Sequence, residues 1–581
     1  MRSTHLPVPS ALRTARRGSR DITQAAAIGW QRARRRRQGR AVLLGLLLAL
    51  LGCADAPPPP PTVQFHDVAT TAGIDFRHFN GATGHYYYVE TYGSGAGWLD
   101  ADNDGWLDAY LVNGAPLQSP PPAPLPTSRL FRNGGDGTFA DVTLAAHAGS
   151  TGYGMGCSAA DYDNDGDQDL YIANFGPDVL LQNQGGGSFA NATAQAHLGD
   201  PGWSSSCGFL DYDRDGDLDL FVTRYVEYSL ATDVPCAEGS IRSYCDPSTY
   251  TPTTDLLYRN EGDGTFSEVS VAMGITATGR GLGVAFTDYD DDGDTDIYVA
   301  NDGTANLLYR NDGTVFSEVG LQAGVWYNAN GRAQAGMGVD AADVDGDARP
   351  DLVVGNFAME TTTMFRNVGQ GQFEDVTDRC GLGALTYMPL TFGLRFLDYD
   401  NDGDLDLFAA NGHVLDNAEV VSPGHTYAQA NQLLANQGDG QWVDVSAQLG
   451  ADFRRPNVGR SAATADYDND GDMDLLVNQV NGPARLLRND GGNGQHWLLL
   501  HLRGQRQRDA LGSLVTVTAA GRRQVRERQS GASYQSSHDP RLHFGLGAAT
   551  QAQVEIRWPS GQVQDLGTVA ADQLLTVSEP P

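Results

Sequence analysis

At 581 residues the chain is long enough for two or three domains, and its 40% apolar content is that of a globular protein rather than a disordered one. A formal charge of -33 disfavours nucleic acid and anionic lipid headgroups as direct partners and favours cations, metal ions first. Lysine is absent and every basic residue is Arg, which reads as genomic base composition rather than a functional demand.

Residues 1–52 hold eleven Arg and a single acid, Asp21, so losing them would make the remainder more acidic still. RARRRR at 32–37 followed by AVLLGLLLALLG at 41–52, an apolar run too short to span a bilayer, predicts an export signal over 1–52. Leu50-Leu51-Gly52-Cys53 resembles a lipobox, in which Cys53 becomes the lipidated first residue. APPPPP at 56–61 then supplies a stiff spacer, so 53–62 is expected to be anchor and linker, with plain secretion as the alternative. Ala54 rather than Asp directly after the Cys favours the outer membrane of a Gram-negative envelope. Membrane contact is expected through the lipid alone.

Five cysteines follow Cys53. Cys236 and Cys245 sit in a loop-like insert, and in an exported chain a disulfide between them is expected. Cys157 and Cys207 each stand four residues before an acidic loop; the two either bridge or remain small buried thiols. Cys380 is left over.

The chain repeats itself. D-x-D-x-D-x-x-x-D occurs seven times. Its carboxylates are Asp100, Asp102, Asp104 and Asp108; Asp161, Asp163, Asp165 and Asp169; Asp211, Asp213, Asp215 and Asp219; and Asp288, Asp290, Asp292 and Asp296. They continue with Asp343, Asp345, Asp347 and Asp351; Asp398, Asp400, Asp402 and Asp406; and Asp466, Asp468, Asp470 and Asp474. The sixth position is Gly in every copy but the fifth, where Ala348 is expected to turn less comfortably. Apolar runs such as LYIAN (170–174) and IYVAN (297–301) follow the loops and read as strands.

A second element, of the form RNGGDGTFADV at 132, follows each loop, and six of its seven copies lead into an F-x-D-V strand. The missing strand stands at the other end as Phe65-His66-Asp67-Val68, the arrangement a closed ring needs. The predicted fold is therefore all-β: a seven-bladed β-propeller over 63–494 with a small β-sandwich or barrel over 495–581. A parallel β-helix has shorter rungs and no reason to move one strand from the end to the beginning.

Acids at positions 1, 3, 5 and 9 with a backbone carbonyl at 7 suit calcium, which takes six to eight hard oxygen ligands, so up to seven ions are expected. Magnesium would demand tighter octahedral geometry, and an EF-hand would need Glu at position 12 between helices. A solvated acidic turn is the bland alternative. Two carboxylates about 5 Å apart repel by roughly 3 kcal/mol at an effective dielectric near 20, which argues for a bound cation. An Asn recurs five residues after the last loop aspartate (Asn113, Asn174, Asn301, Asn356, Asn411), replaced by Arg224 in the third unit and Gln479 in the seventh. Turn formation accounts for the Asn, and the two exceptions are candidates for a specific surface.

The loops resemble FG-GAP or VCBS repeats, as in integrin α-subunit propellers. LGSLVTVTAAGRRQVRERQSGASYQSSHDPRLHFGLG (511–547) and VEIRWPSGQVQDL (554–566) resemble the ASPIC/UnbV domain. Together they resemble the bacterial branch of the cartilage acidic protein family over nearly all of the mature chain. Arg541 and His543 belong to that signature and are taken as structural.

No nucleophile elbow, H-E-x-x-H, Walker loop or dinucleotide fingerprint is present. His413 and Tyr427 are the residues placed at a channel mouth, with a hydrogen-bonded loop His the plainer expectation. The sequence points to a calcium-binding, lipid-anchored scaffold for a protein or glycan at the cell surface. An enzyme at the propeller channel, acting on a polysaccharide or specialised metabolite, is the alternative; a surface calcium store or adhesion factor is a third.

Overall fold

The computed structural model of the chain describes residues 63–438 and 440–581. The export signal, Cys53 and the proline stretch lie outside the described residues.

Each acidic loop turns one strand into the next. In the second unit Tyr153–Ala160 enters the loop and Asp169–Phe175 leaves it, with Ala160 opposite Asp169; Val179–Asn183 and Phe189–Asn191 complete an antiparallel meander. The entering strand, YGMGCSAA, is buried along its whole length, which explains a run of small and apolar residues in place of strict alternation. Seven sheets are built this way, one per acidic loop. Their first strands converge on a common axis and require small residues: a Cβ on Gly338 would lie 2.2 Å from the carbonyl oxygen of Phe392 in the next sheet.

The last sheet borrows its outer strand from the start of the ordered chain. Gln64–Asp67 pairs antiparallel with Arg485–Asp490, Phe65 opposite Asn489, which closes the ring and covers the edge that Arg485–Asp490 would otherwise expose. The core is divided among slots between neighbouring sheets. Tyr171 and Ala173 meet Leu220 and Val222 in one slot, and Phe221 meets Val284 and Ile297 in the next. Trp98 stacks on Tyr467 at 6.0 Å across the slot between the first and last sheets.

Cys157 and Cys207 face different slots and remain separate buried thiols. Occupying equivalent places in successive units sends each toward the preceding sheet, so the alternative of a bridge between them is not realised. Cys236 and Cys245 are disulfide-bonded across the hairpin Cys236–Glu238/Ile241–Ser243.

The tail forms two facing sheets. Leu542–Gly547, His496–Arg503 and Gln573–Ser578 make one; Arg522–Glu527, Leu514–Ala519, Gln551–Arg557 and Val563–Ala570 make the other. Leu498, Leu500, Val515, Phe544, Ile556 and Trp558 fill the space between them. Between its strands the tail sends residues 530–538 down the propeller axis, an arrangement with no counterpart in the sequence expectations. Ser536–Ser537 adds a parallel strand to Ala96–Leu99, and Ser533 exchanges backbone hydrogen bonds with Val339. Side chains of the same segment bond the first strands of other sheets: Ser533 Oγ accepts from Leu394 N (3.1 Å), Ser536 Oγ from Ala462 N (3.1 Å) and Ser537 Oγ from Ala159 N (3.2 Å). Tyr534 sits deepest, fully buried, with its ring 5.0 Å from Phe392 and its hydroxyl donating to Tyr92 O (2.9 Å).

Candidate metal centres and the tail that covers them

The loop Asp161–Asp169 shows the common build. Asn164 at position four and Gly166 at position six take φ of 59° and 101°, folding the chain back so that the spaced carboxylates converge. Position four is left-handed in all seven loops: Asn103, Arg214, Asp291, Asn401 and Asn469 lie at 56–59°, and Gly346 at 76°. Asn and Gly suit that conformation best. In the fifth loop Ala348 holds φ 70° where the others have Gly, so the turn is kept at a cost of about 1–2 kcal/mol.

Backbone donors fix the carboxylates before any ligand arrives. Asp161 Oδ2 accepts from Gly166 N (2.8 Å), as Asp100 does from Gly105 N and Asp466 from Gly471 N (both 3.0 Å). Asp169 accepts from Tyr162 N (3.2 Å) and Asn183 N (2.7 Å). Carboxylate oxygens of Asp161, Asp163 and Asp169 fall within 4.8 Å of one another. So do those of Asp100, Asp102 and Asp104; Asp211, Asp213 and Asp219; Asp288, Asp290 and Asp296; and Asp343, Asp345 and Asp347.

Arginines pair with some of these groups, as Arg132 does with Asp102 at 2.7 Å, but carboxylate oxygens are left over. Asp102, Asp161, Asp211, Asp290, Asp398, Asp400 and Asp468 each keep an Oδ1 buried and without a hydrogen-bond partner. Burial first, then nearby carboxylates, pushes Asp161 and Asp211 up to about 7, and Asp400 and Asp468 to about 6. Burial pushes Asp169 to about 9 and raises Asp219, Asp296, Asp351, Asp406 and Asp474 as well. Buried, converging carboxylate oxygens, one on each of these residues without a hydrogen-bond partner, fit a hard divalent cation, whose charge would offset the repulsion among them.

The second repeated element ties each loop to its neighbour, a role the sequence reading missed. Asn183 Nδ2 donates to the carbonyl of Ala101, the second residue of the preceding loop, at 2.8 Å, while its backbone N–H holds Asp169. Asn260 reaches Tyr162, Asn311 reaches Tyr212, and Asn367 reaches Tyr289, each at 2.8 Å. Asn436 bonds Val344 (3.1 Å), Asn489 bonds Tyr399 (2.8 Å), and Asn133 closes the circle on Tyr467 (2.9 Å). The available signal was that this Asn is present in all seven copies although the residue before it varies.

The tail covers the same face. Arg557 Nη2 lies 3.3 Å from Asp288 Oδ2, and Arg508 Nε donates to Asn164 O at 2.9 Å. Asp161 N donates to Asp509 Oδ2 at 2.8 Å. Arg541, buried against Asp539, donates to Asp466 O and Asn469 Oδ1, both at 2.6 Å. His543 Nε2 faces Gly471 O at 3.3 Å.

The opposite face carries the connections between second and third strands. His413 and Tyr427 do meet, through a backbone bond from His413 N to Tyr427 O (2.9 Å), but His413 Nδ1 accepts from Leu415 N (3.0 Å) and burial pushes the ring down to about 4. Arg460, fully buried beside it, donates to the carbonyls of Thr91, Gly412, Gly459 and His413 and stacks on Phe392. The axis that a channel enzyme would use is filled by Tyr534 and the residues around it. Gln479 bonds the nearby Pro483 O (2.6 Å), whereas Arg224 pairs with Asp200 at the wall of a cleft.

Fold and loops together define a β-propeller of FG-GAP-like repeats. Six stretches, 100–172, 161–222, 248–299, 288–354, 343–409 and 417–477, match the FG-GAP-like repeat, and 503–581 match ASPIC and UnbV. The chain belongs to the FG-GAP-like repeat family, and this combination fits a cartilage-acidic-protein-like family. Cartilage acidic protein 1 of Mus musculus is 25% identical over 54% of this chain and 47% of its own length; that of Homo sapiens is 25% identical over 54% and 46%. The chain thus spans about half the length of the curated relatives it matches. Among solved structures an exotype rhamnogalacturonan lyase aligns over 84% of this chain and 90% of its own, with 13% identity and a TM-score of 0.31.

Proposed function

We propose that the chain is a calcium-stabilised propeller that serves as a rigid binding scaffold at the cell envelope, tethered by lipid at Cys53. The observation that carries it is the set of buried, unpartnered carboxylate oxygens repeated around the ring. An all-oxygen, carboxylate-rich donor set in a glycine-turned loop is calcium chemistry. The tether rests on the Gly52-Cys53 sequence and the proline spacer. With the loop face covered by the tail and the axis filled, the opposite face is the one left for a protein or glycan partner. Calcium titration of the metal-free protein, followed by melting temperature and by stoichiometry, tests the scaffold: several ions per chain and a raised melting temperature are expected, and a melting temperature indifferent to calcium and chelator would refute it. Incorporation of labelled palmitate, lost in Cys53→Ser, tests the tether.

A further inference from the structure

On the face away from the acidic loops, the insert of the third unit borders an open cleft of about 540 Å³, inside the range of about 300–1,000 Å³ usual for small-ligand sites. The strands place it there: Asp219–Arg224 leaves the acidic loop at one end and delivers Arg224 to the other, where the chain detours before returning as Leu256–Asn260. Trp203 enters from the segment that precedes the first strand of the same sheet, 1% exposed. Tyr228 and Tyr250 complete an aromatic lining, Tyr228 lying 5.4 Å from Trp203 and 5.1 Å from Tyr250 between ring centres.

Two features separate this lining from an ordinary aromatic core. The indole N–H of Trp203 and the Nε of Arg224 are both buried without a partner, although both residues line the cleft. A buried donor left unmade costs about 1–3 kcal/mol, so a ligand oxygen that reached either group would be held favourably. The second feature is asymmetry. Five other units place Asn where this one places Arg224, so the ring breaks its own repeat here. The insert that makes the cleft is also fixed rather than loose, by the Cys236–Cys245 disulfide and by Tyr228 donating to Asp233 Oδ1 at 2.9 Å.

The polar groups define the ligand. Arg224 is already neutralised by Asp200, so the cleft has no surplus cation to hold an anion. Glu227 offers a free carboxylate at the rim, with no hydrogen bond or ion pair, and Thr249 and Thr251 add hydroxyls. Donors buried among aromatic rings, an acceptor at the rim and little net charge suit a ligand with many hydroxyls and apolar ring faces. We propose that this cleft binds a neutral oligosaccharide, with Trp203 and Arg224 donating to its oxygens and Glu227 accepting from its hydroxyls. Oligosaccharide binding here rests on the scaffold role proposed above and names its ligand class.

The test uses the calcium-loaded chain and a panel of neutral di- to tetrasaccharides of hexose and N-acetylhexosamine, with uronic-acid oligosaccharides for contrast, read by calorimetry. At least one neutral probe is expected to bind. Glu227→Ala, an exposed change that removes the acceptor, and Trp203→Phe, which removes the N–H and keeps an aromatic ring, should each weaken it about tenfold or more, the loss expected for one hydrogen bond of about 1.4 kcal/mol. Their melting temperatures report whether the fold is intact. No binding of any neutral probe, binding of acidic probes alone, or binding that both variants leave unchanged would overturn the assignment. A calcium-dependent melting temperature measured on the same samples separates this failure from failure of the scaffold itself.

Discussion

Asn133 donates its side-chain amide to the carbonyl of Tyr467 at 2.9 Å, joining the first sheet to the last across 334 residues of sequence. The same amide bonds Leu107 O (3.1 Å) within its own loop, and its Oδ1 accepts from Gly135 N (3.0 Å). One buried side chain therefore holds a turn, a loop and the ring closure together. Asn133→Ala leaves two buried carbonyls without donors and is expected to cost about 2–4 kcal/mol, visible as a lower denaturant midpoint with an unchanged slope. Because the slot beside it packs Trp98 on Tyr467, the loss should show as easier opening between these two sheets, read by faster hydrogen exchange at Leu476 and Leu486.

The acidic loops should respond to neutralisation with opposite signs in the two metal states. Asp211 keeps one buried oxygen unpartnered and feels Asp215 and Asp213 beside it. In chelator at pH 8, Asp211→Asn relieves repulsion of roughly 3 kcal/mol per close pair at an effective dielectric near 20, so the melting temperature should rise. In saturating calcium the same variant lacks a charged ligand, and the melting temperature should fall, by roughly 1–3 °C for a chain of this size. Equal shifts under both conditions would remove the case for a cation at this loop.

Asp178 offers a pH signature away from the loops. Its carboxylate is buried and accepts from Asn174 N (2.7 Å), Tyr171 Oη (2.8 Å) and Ser204 Oγ (2.8 Å), yet burial pushes it up to about 7. The folded state then keeps a proton between about pH 4 and 7 that the unfolded chain has released. Its contribution to stability is fully present below that window, falls as pH rises through it, and is flat above. In calcium-saturated buffer, Asp178→Asn should flatten the stability profile of the wild type between pH 4 and 7.

The repeat carried most of the fold into the sequence. D-x-D-x-D-x-x-x-D fixed where each sheet turns, and the stray Phe65-His66-Asp67-Val68 announced a ring closed by its own first strand, because both are local patterns with one geometric use. The sixth position of the fifth loop was less legible: Ala348 keeps the left-handed turn, since Gly346 at position four and the backbone bond to Asp343 constrain it already. Asn133 and its six equivalents were given no role, because a contact to the preceding unit leaves no trace in the spacing within one unit. The cleft at Trp203 and Arg224 is built within one unit, by a hairpin that sets Arg224 opposite Ser204 and by an insert that the repeat pattern does not describe. Least legible was QSGASYQSSHD, whose serines bond backbone groups of several sheets and so have no periodicity of their own.

That segment makes the tail part of the propeller's core. Tyr534 is fully buried on the axis between Tyr92 and Phe392, and Arg541 pins the base of the same segment to Asp466 and Asn469 on the loop face. Tyr534→Ala empties an aromatic volume where no neighbour is free to move in, and is expected to cost about 3–5 kcal/mol. Arg541→Met keeps most of the side-chain volume but strands the Asp539 carboxylate and should cost about 3–5 kcal/mol as well, since removing one partner of a buried pair leaves its charge uncompensated. If the tail were an independent module, either change would melt residues 496–578 and leave the propeller transition in place. With the axis filled as it is, both variants should lower a single cooperative transition, followed together by intrinsic fluorescence of Trp98 in the ring and Trp558 in the tail. Separate transitions for the two tryptophans, isolated by replacing the others with Phe, would show that the segment only rests in the channel.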